Sequence, residues 1–238
     1  MEKFLAILGV IFMLTATATA SAKSIKTFDG NMPRVQWAVV ESTAGNMENI
    51  LEMGARILAP TVAKEDGTYA LYGAIEKNNP NLLRLLEIYA SDEAYRIHST
   101  SPAFQKYRAE RLPILAGLKI LPVNAIALEQ KSSGVGTIVQ TCDFEISAAN
   151  LAAFQELIAA EAVRAVRDDA GVVGAFVTAE QARPNFLHTM IIFKDATTGR
   201  QYFASSAYKT FRKQAEPLIG TENKIDYAPT KITLSEKF

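Results

Sequence analysis

Apolar and polar residues recur along the chain with two spacings, one typical of strands and one typical of helices. Residues 35–41 are rich in β-branched side chains, and residues 69–75 and 82–89 alternate on either side of a polar turn at 78–81. Each of these three segments is therefore predicted to be a strand. Apolar residues from 47 to 62 fall at helical spacing and predict a helix between the first two strands.

The helical segments carry start and stop signals. Pro60 predicts a kink or an early end in the first helix, and Ser91 begins a second. Ser101 stands before Pro102, which lacks the N–H group that a first-turn residue does not need, so another helix begins there. A last strand over 119–128 completes the order β-α-β-β-α-β.

The same pattern occurs a second time, 104 residues further along the chain. No gap is needed to align 67–115 with its counterpart, and strands are predicted again at 135–141 and 225–234, with a helix beginning at Ser147. The aligned residues agree in size or polarity: Gly67 with Gly171, Tyr72 with Phe176, Tyr89 with Phe193, Phe104 with Tyr208, Arg108 with Arg212, and Pro113 with Pro217.

Two copies of this order predict an α+β protein built from two ferredoxin-like repeats, at 34–130 and 134–236. Each repeat has a four-stranded antiparallel sheet that carries helices on one face, and the opposite face is also apolar. Because an apolar sheet face must be covered, the two sheets are expected to pack on each other as an intramolecular pseudo-dimer.

Residues 1–22 have the pattern of an export signal. Lys3 is followed by an unbroken apolar run over 4–14 and then by small residues that end at Ala22. The run is too short for a membrane span, which needs about 20 residues. We expect cleavage after Ala22 and a periplasmic or secreted protein that is not held at the membrane, with an uncleaved anchor as the alternative.

Composition narrows the possible chemistry. The 25 basic and 25 acidic residues give no net charge, which argues against a nucleic-acid partner. The single cysteine, Cys142, excludes an intramolecular disulfide and Cys-rich metal sites, and it is expected to be a buried structural thiol. The two histidines, His98 and His188, leave little room for a histidine-based metal centre, and His188 is expected to be exposed on its strand.

The segment from Leu83 to Phe104 resembles the signature of the antibiotic biosynthesis monooxygenase family. A strand ends in Glu-x-aromatic at Glu87 and Tyr89, an acidic helix start follows, and then come His98 and Ser-Pro-x-Phe. The resemblance is weaker over the rest of both repeats. It implies a dimeric α+β barrel, and some members of this family oxygenate quinols or anthrones with O₂. They do so without metal, flavin or haem, so no cofactor and no metal are expected.

The resemblance also implies a base and an apolar pocket in the first repeat. Deprotonation of a phenol needs a base with a pKa near neutral, and an unperturbed histidine has a pKa of about 6.5. His98 is the expected base, and Glu87 is the expected partner that orients it or stabilises its charge. The aromatic residues expected to line the substrate pocket are Trp37, Tyr72, Tyr89, Tyr95, Phe104 and Tyr107.

The second repeat lacks these polar groups, since Ile191 replaces Glu87 and Tyr202 replaces His98. We therefore expect one working pocket in each chain. Three functions stay open: a monooxygenase that acts on a quinol- or anthrone-like aromatic, a binding protein without turnover, and a haem-interacting protein. Tyr107 stands where haem-degrading relatives carry a histidine, which weakens the third. A small aromatic molecule and O₂ are the expected partners, and a further homodimer is left open.

Overall fold

The computed structural model describes residues 22–23, 32–131, 136–228 and 233–234. Its first half has the predicted order of elements. Ser91 and Ser101 cap two helices as expected, accepting hydrogen bonds from the backbone N–H groups of Ala94 and Phe104. The elements of this half are β1 (Arg34–Ser42), α1 (47–64), β2 (Thr68–Glu76), β3 (Asn79–Tyr89), α2 (Asp92–Thr100), α3 (Pro102–Arg111) and β4 (Leu115–Lys131).

The second half repeats these elements, and all but β7 begin 104 residues after their counterparts. Three predicted boundaries of this half were wrong, and one of them is the strand predicted at 225–234, which is observed at Ile219–Ala228. The strand predicted at 135–141 begins at Ile138 and continues to Ile146, and the helix begins at Leu151 because residues 148–150 form a turn. The elements are β5 (Ile138–Ile146), α4 (Leu151–Asp168), β6 (Val172–Glu180), β7 (Phe186–Phe193), α5 (Ala196–Ala204), α6 (Ser206–Ala215) and β8 (Ile219–Ala228).

The two sheets join at both edges and close into one antiparallel barrel of eight strands. The strand order is β4-β1-β3-β2 in the first half and β8-β5-β7-β6 in the second. At one junction β4 pairs with β6, and at the other β2 pairs with β8. This confirms the predicted fold class: two ferredoxin-like repeats form an intramolecular dimeric α+β barrel.

Two further observations concern the ends of the chain and the membrane. The predicted export signal lies outside the described residues, except for Ala22, which pairs with Lys131 at the end of β4. Among the described helices, none combines the length and the apolar character that a membrane crossing requires.

The two faces of the first sheet belong to different cores. On β1, Val35 and Trp37 point into the barrel, where they join an apolar cluster with residues of both repeats. Val40 points the opposite way and packs with residues of α1 and α3. Successive side chains of a strand alternate between faces, so each strand contributes to the barrel interior and to the layer beneath the helices.

Pro60 does not end the first helix. α1 begins as α-helix Met47–Met53, widens into a π-helical segment Gly54–Leu58, and continues as α-helix Ala59–Lys64. The N–H group of Ala59 bonds to the carbonyl of Gly54, five residues earlier. Proline has no N–H group and its ring crowds the carbonyl four residues before it, so the wider turn accommodates it within the helix.

His188 lies inside the barrel, so the expectation that it is exposed is wrong. Its Nδ1 is 2.7 Å from a carboxylate oxygen of Asp143, and its Nε2 is 3.0 Å from one of Glu180. Arg84 of the first repeat donates two hydrogen bonds of 3.0 Å to Asp143. A partly buried charge network therefore connects the two repeats.

Candidate active site

A cavity of about 180 Å³ lies between the outer face of the first sheet and the helices that cover it. The π-helical segment of α1 contributes Gly54 and Leu58 to its wall. Four of the six aromatic residues predicted for the pocket line this cavity: Tyr89, Tyr95, Phe104 and Tyr107. Its polar groups come from both layers: Gln36 and Glu87 from strands, and His98, Arg108 and Arg111 from helices.

His98 lies on α2 and is almost fully buried, with 1 % relative exposure. Its Nδ1 is 2.7 Å from Oε2 of Glu65, and the Thr68 hydroxyl donates to the same oxygen at 2.8 Å. A carboxylate at Nδ1 favours the tautomer with hydrogen on that atom, which leaves Nε2 as the basic nitrogen. Nε2 forms no hydrogen bond within the described chain, so it is available to a molecule in the cavity.

Glu65, rather than the predicted Glu87, is the carboxylate that contacts His98. It follows the last residue of α1, in a short loop that ends at Gly67. A Cβ atom at Gly67 would lie 2.6 Å from the Cβ of Ala94 on α2, so glycine lets this loop approach the helix that carries His98. Nothing in the local pattern distinguishes Glu65 from a surface residue at a helix end, so sequence reasoning missed it.

Glu87 is a second acidic group in the cavity. Gln36 Nε2 donates to its Oε2 at 2.6 Å, and the Tyr89 hydroxyl donates to the same oxygen at 3.1 Å. Burial raises the pKa of Glu87, and its two hydrogen bonds and the nearby charges of His98 and Arg111 oppose this only in part. The direct contact with His98 is therefore made by Glu65, and Glu87 lies close enough for the charge of His98 to lower its pKa.

Arg111 is a buried cation that the sequence did not single out. It lies one helical turn after Tyr107 on α3, and its Nη1 donates to the Tyr107 hydroxyl at 3.5 Å. Its guanidinium carbon lies 4.8 Å from the centroid of the Tyr107 ring. Burial raises the pKa of Tyr107, while the charge of Arg111 acts in the opposite direction. The sequence signal that could have identified Arg111 is its i, i+4 spacing from Tyr107, which places both side chains on one face of a helix.

Trp37 and Tyr72 do not line this cavity, contrary to prediction. Both side chains point into the barrel, where Trp37 Nε1 donates to the hydroxyl of Thr178 at 3.0 Å and Tyr72 hydrogen-bonds with Gln130. Their neighbours Gln36 and Leu71 face the cavity instead. The strand period of two therefore separates these two aromatics from His98 by the thickness of the sheet.

The equivalent cavity of the second repeat has a volume of only about 50 Å³. Tyr202, at the position of His98, donates to Oε1 of Glu161 at 2.7 Å. Cys142 lines this cavity and is buried, as expected. The two cavities are therefore unequal in volume, and one working pocket per chain stays a prediction.

The first repeat is similar to a known protein family. Residues 34–110 match the family model described as antibiotic biosynthesis monooxygenase. The first repeat is an antibiotic biosynthesis monooxygenase domain. Because the second half reproduces the same elements 104 residues later, the chain contains the fold of this domain twice in tandem. No curated protein matches the sequence significantly.

Several solved structures share the architecture of both repeats. A candidate monooxygenase from Lactobacillus acidophilus is 10 % identical with a TM-score of 0.76, covering 83 % of this chain and 93 % of its own. Another from Fusobacterium nucleatum is 16 % identical with a TM-score of 0.79, covering 88 % and 97 %. An anthrone oxidase-like protein is 10 % identical with a TM-score of 0.53, covering 92 % and 98 %. Identities this low establish the shared fold alone.

Proposed function

We propose that the chain is an exported, cofactor-independent monooxygenase that oxidises a quinol- or anthrone-like aromatic with O₂, with His98 as the general base. The observation that carries this proposal is the His98–Glu65 pair. A buried imidazole is oriented through Nδ1, and its other nitrogen is left for a cavity lined by aromatic side chains. Deprotonation of an acidic C–H or O–H group requires a base held in this way.

The proposed reaction begins when Nε2 of His98 removes a proton from the bound substrate. The resulting anion transfers one electron to O₂, and the two radicals recombine at carbon. For an anthrone, the CH₂ carbon becomes a carbonyl, so one oxygen atom enters the product and the other leaves as water. Glu65 stabilises the imidazolium that forms, and the enclosed site limits the access of water to reactive intermediates.

Oxygen uptake tests this function. Purified protein is offered hydroquinones and anthrones in an oxygen electrode, and wild type is compared with His98→Gln. Loss of the base is expected to lower the rate by roughly 10² to 10⁴-fold. Tyr202→Phe, at the equivalent position of the second repeat, is the matched control and should keep the wild-type rate.

Two other outcomes would contradict the proposal. Tight binding of these aromatics without oxygen uptake would favour the binding protein without turnover. A Soret band on titration of the protein with haem at low micromolar concentration would favour the haem-interacting function.

Export is part of the proposal and rests on the apolar run at 4–14 and the small residues that precede Lys23. Mass spectrometry of the protein isolated from its native host should find a mature chain that begins at Lys23. Recovery of the intact N-terminus in the membrane fraction would instead indicate an uncleaved anchor.

A further inference from the structure

Arg111 is a buried cation that the proposed reaction does not use. Its relative exposure is 7 %, and its hydrogen bond within the described residues is the long one to the Tyr107 hydroxyl. Its Nε is buried and has no hydrogen-bond partner there. A guanidinium has five N–H donors and stays charged, so most of its capacity is left for another molecule.

Two acidic groups of this region already have hydrogen-bond partners, and one of them, Glu87, also interacts with Arg111 through charge. Glu87 accepts hydrogen bonds from Gln36 and Tyr89, and Glu65 accepts from Thr68 and contacts His98. No ion pair joins Arg111 to an acidic residue in the part of the chain that the structure describes. Buried charges are ordinarily paired, and a carboxylate fits the planar guanidinium with two parallel hydrogen bonds.

The second repeat provides an internal comparison, because it lacks this arrangement. Ala215 stands at the position of Arg111, and Arg212, which lines the smaller cavity, donates to Glu222 at 2.8 and 2.9 Å. The position of Glu222 is taken in the first repeat by Leu118, whose relative exposure is 45 %. The first repeat therefore has an internal guanidinium where the second has an alanine, and an apolar side chain where the second has the carboxylate that pairs with Arg212.

We infer that Arg111 binds an anionic group of the ligand, and that the ligand is an aromatic carboxylic acid rather than a neutral aromatic. Applied to catalysis, this inference rests on the proposed function and narrows its substrate to a carboxylated quinol or anthrone. The carboxylate would lie against Arg111, while the ring with its acidic group reaches toward Nε2 of His98.

Binding of two matched quinols tests the inference. Isothermal titration under anaerobic conditions compares 2,5-dihydroxybenzoate with 2,5-dihydroxybenzamide, which has the same shape and no charge. Wild type is expected to bind the acid about 10-fold more tightly or better. Arg111→Met should remove this preference, and Arg111→Lys, which keeps the charge without the planar fork, should keep part of it. Arg212→Met, at the second cavity, is the matched control and should bind as wild type does.

Equal dissociation constants for the two compounds, or no binding of the acid by wild type, would overturn the inference. An unchanged preference in Arg111→Met would do the same. If that variant does not fold, the wild-type comparison and Arg111→Lys still decide the question.

The outcome is separable from that of the proposed function. A preference for the acid without any oxygen uptake leaves the anion site and removes the monooxygenase. Oxygen uptake with neutral quinols and no preference for the acid would support the monooxygenase and overturn the anion site at Arg111.

Discussion

A carboxylate on one nitrogen of a buried imidazole determines what the other nitrogen can do. Glu65 contacts His98 but is absent from the cavity wall, so it acts as a positioning residue. Glu65→Gln is expected to lower kcat by about 10-fold or more and to leave KM near its wild-type value, because imidazolium stabilisation is lost and substrate contacts are not.

Steady-state oxygen uptake measures both constants. Glu93→Gln, which removes an exposed carboxylate of α2 paired with Arg96, is the control and should change neither. A wild-type kcat in Glu65→Gln would contradict the role assigned to Glu65.

Glu87 provides a prediction about stability. Its pKa is raised in the folded state, so the folded protein binds more protons than the unfolded chain between the two pKa values. Its contribution to stability is therefore lost as pH rises above the unfolded pKa of about 4.3, and stays lost at neutral pH. Glu87→Gln should raise the free energy of unfolding at pH 7 by on the order of 1 kcal/mol, measured by urea denaturation, with a smaller gain at pH 4. A loss of stability at pH 7 would show that the carboxylate is stabilised after all.

At the residue scale, the sequence could predict His98 and Glu87 but not how they are connected. Both belong to a family motif on adjacent elements, so their presence in one cavity follows from the resemblance. Glu65 is brought to His98 by a loop whose position depends on the contact of Gly67 with Ala94. Arg111 is brought to the cavity by the end of α3. Such contacts are set by tertiary packing, which a single sequence does not show.

At the scale of elements, the capping of α2 supports the base. The Ser91 side chain accepts a hydrogen bond from the N–H of Ala94 at 3.2 Å, and His98 lies later in the same helix. Ser91→Ala is expected to lower the free energy of unfolding by about 1 kcal/mol, whereas Ser91→Asp should keep the cap and the stability. Thermal or urea denaturation measures both. Equal losses in the two variants would assign the effect to something other than the cap.

The strands also show why the predicted pocket was only partly right. Alternation along β1 places Trp37 and Gln36 on opposite faces, and this much can be predicted from the sequence. It cannot be predicted which face holds the ligand, because both are covered, one by the second sheet and the other by helices. A strand with one face in solvent has polar residues on that face, so its two faces can be told apart from the sequence. These strands are covered on both faces and lack that pattern.

At the scale of the whole molecule, the offset of 104 residues made the architecture predictable. The charge network at His188 was not, because it depends on how strands of the two repeats meet inside the barrel. Burial alone would raise the pKa of Asp143, but hydrogen bonds from His188 and Arg84 outweigh it and lower that pKa. For Glu180, burial is likewise outweighed by Arg183 and His188, and its pKa is also lowered.

Acid should therefore loosen the connection between the repeats. A carboxyl group with a lowered folded pKa contributes stability above its unfolded pKa, near 4, and loses it as pH falls through the folded value. Asp143→Asn should lower the free energy of unfolding at pH 7 by about 2 kcal/mol, which is less than the loss expected on breaking a fully buried ion pair. The variant should also lose less stability than wild type as the pH falls below about 4. Urea denaturation between pH 3 and 7 measures both effects.

Asp168→Asn, in an exposed pair with Arg167, is the control and should leave the curve unchanged. Wild-type stability of Asp143→Asn at pH 7 would mean that the network does not hold the repeats together.

The closed barrel has a genetic consequence. When two identical chains assemble around a common axis, every substitution is made twice, and a change that harms one site harms its twin. Here the two repeats are encoded in one chain, so each first repeat always pairs with one second repeat. One half can therefore carry a tyrosine in place of the histidine and a smaller cavity, while the other keeps the histidine and the larger cavity.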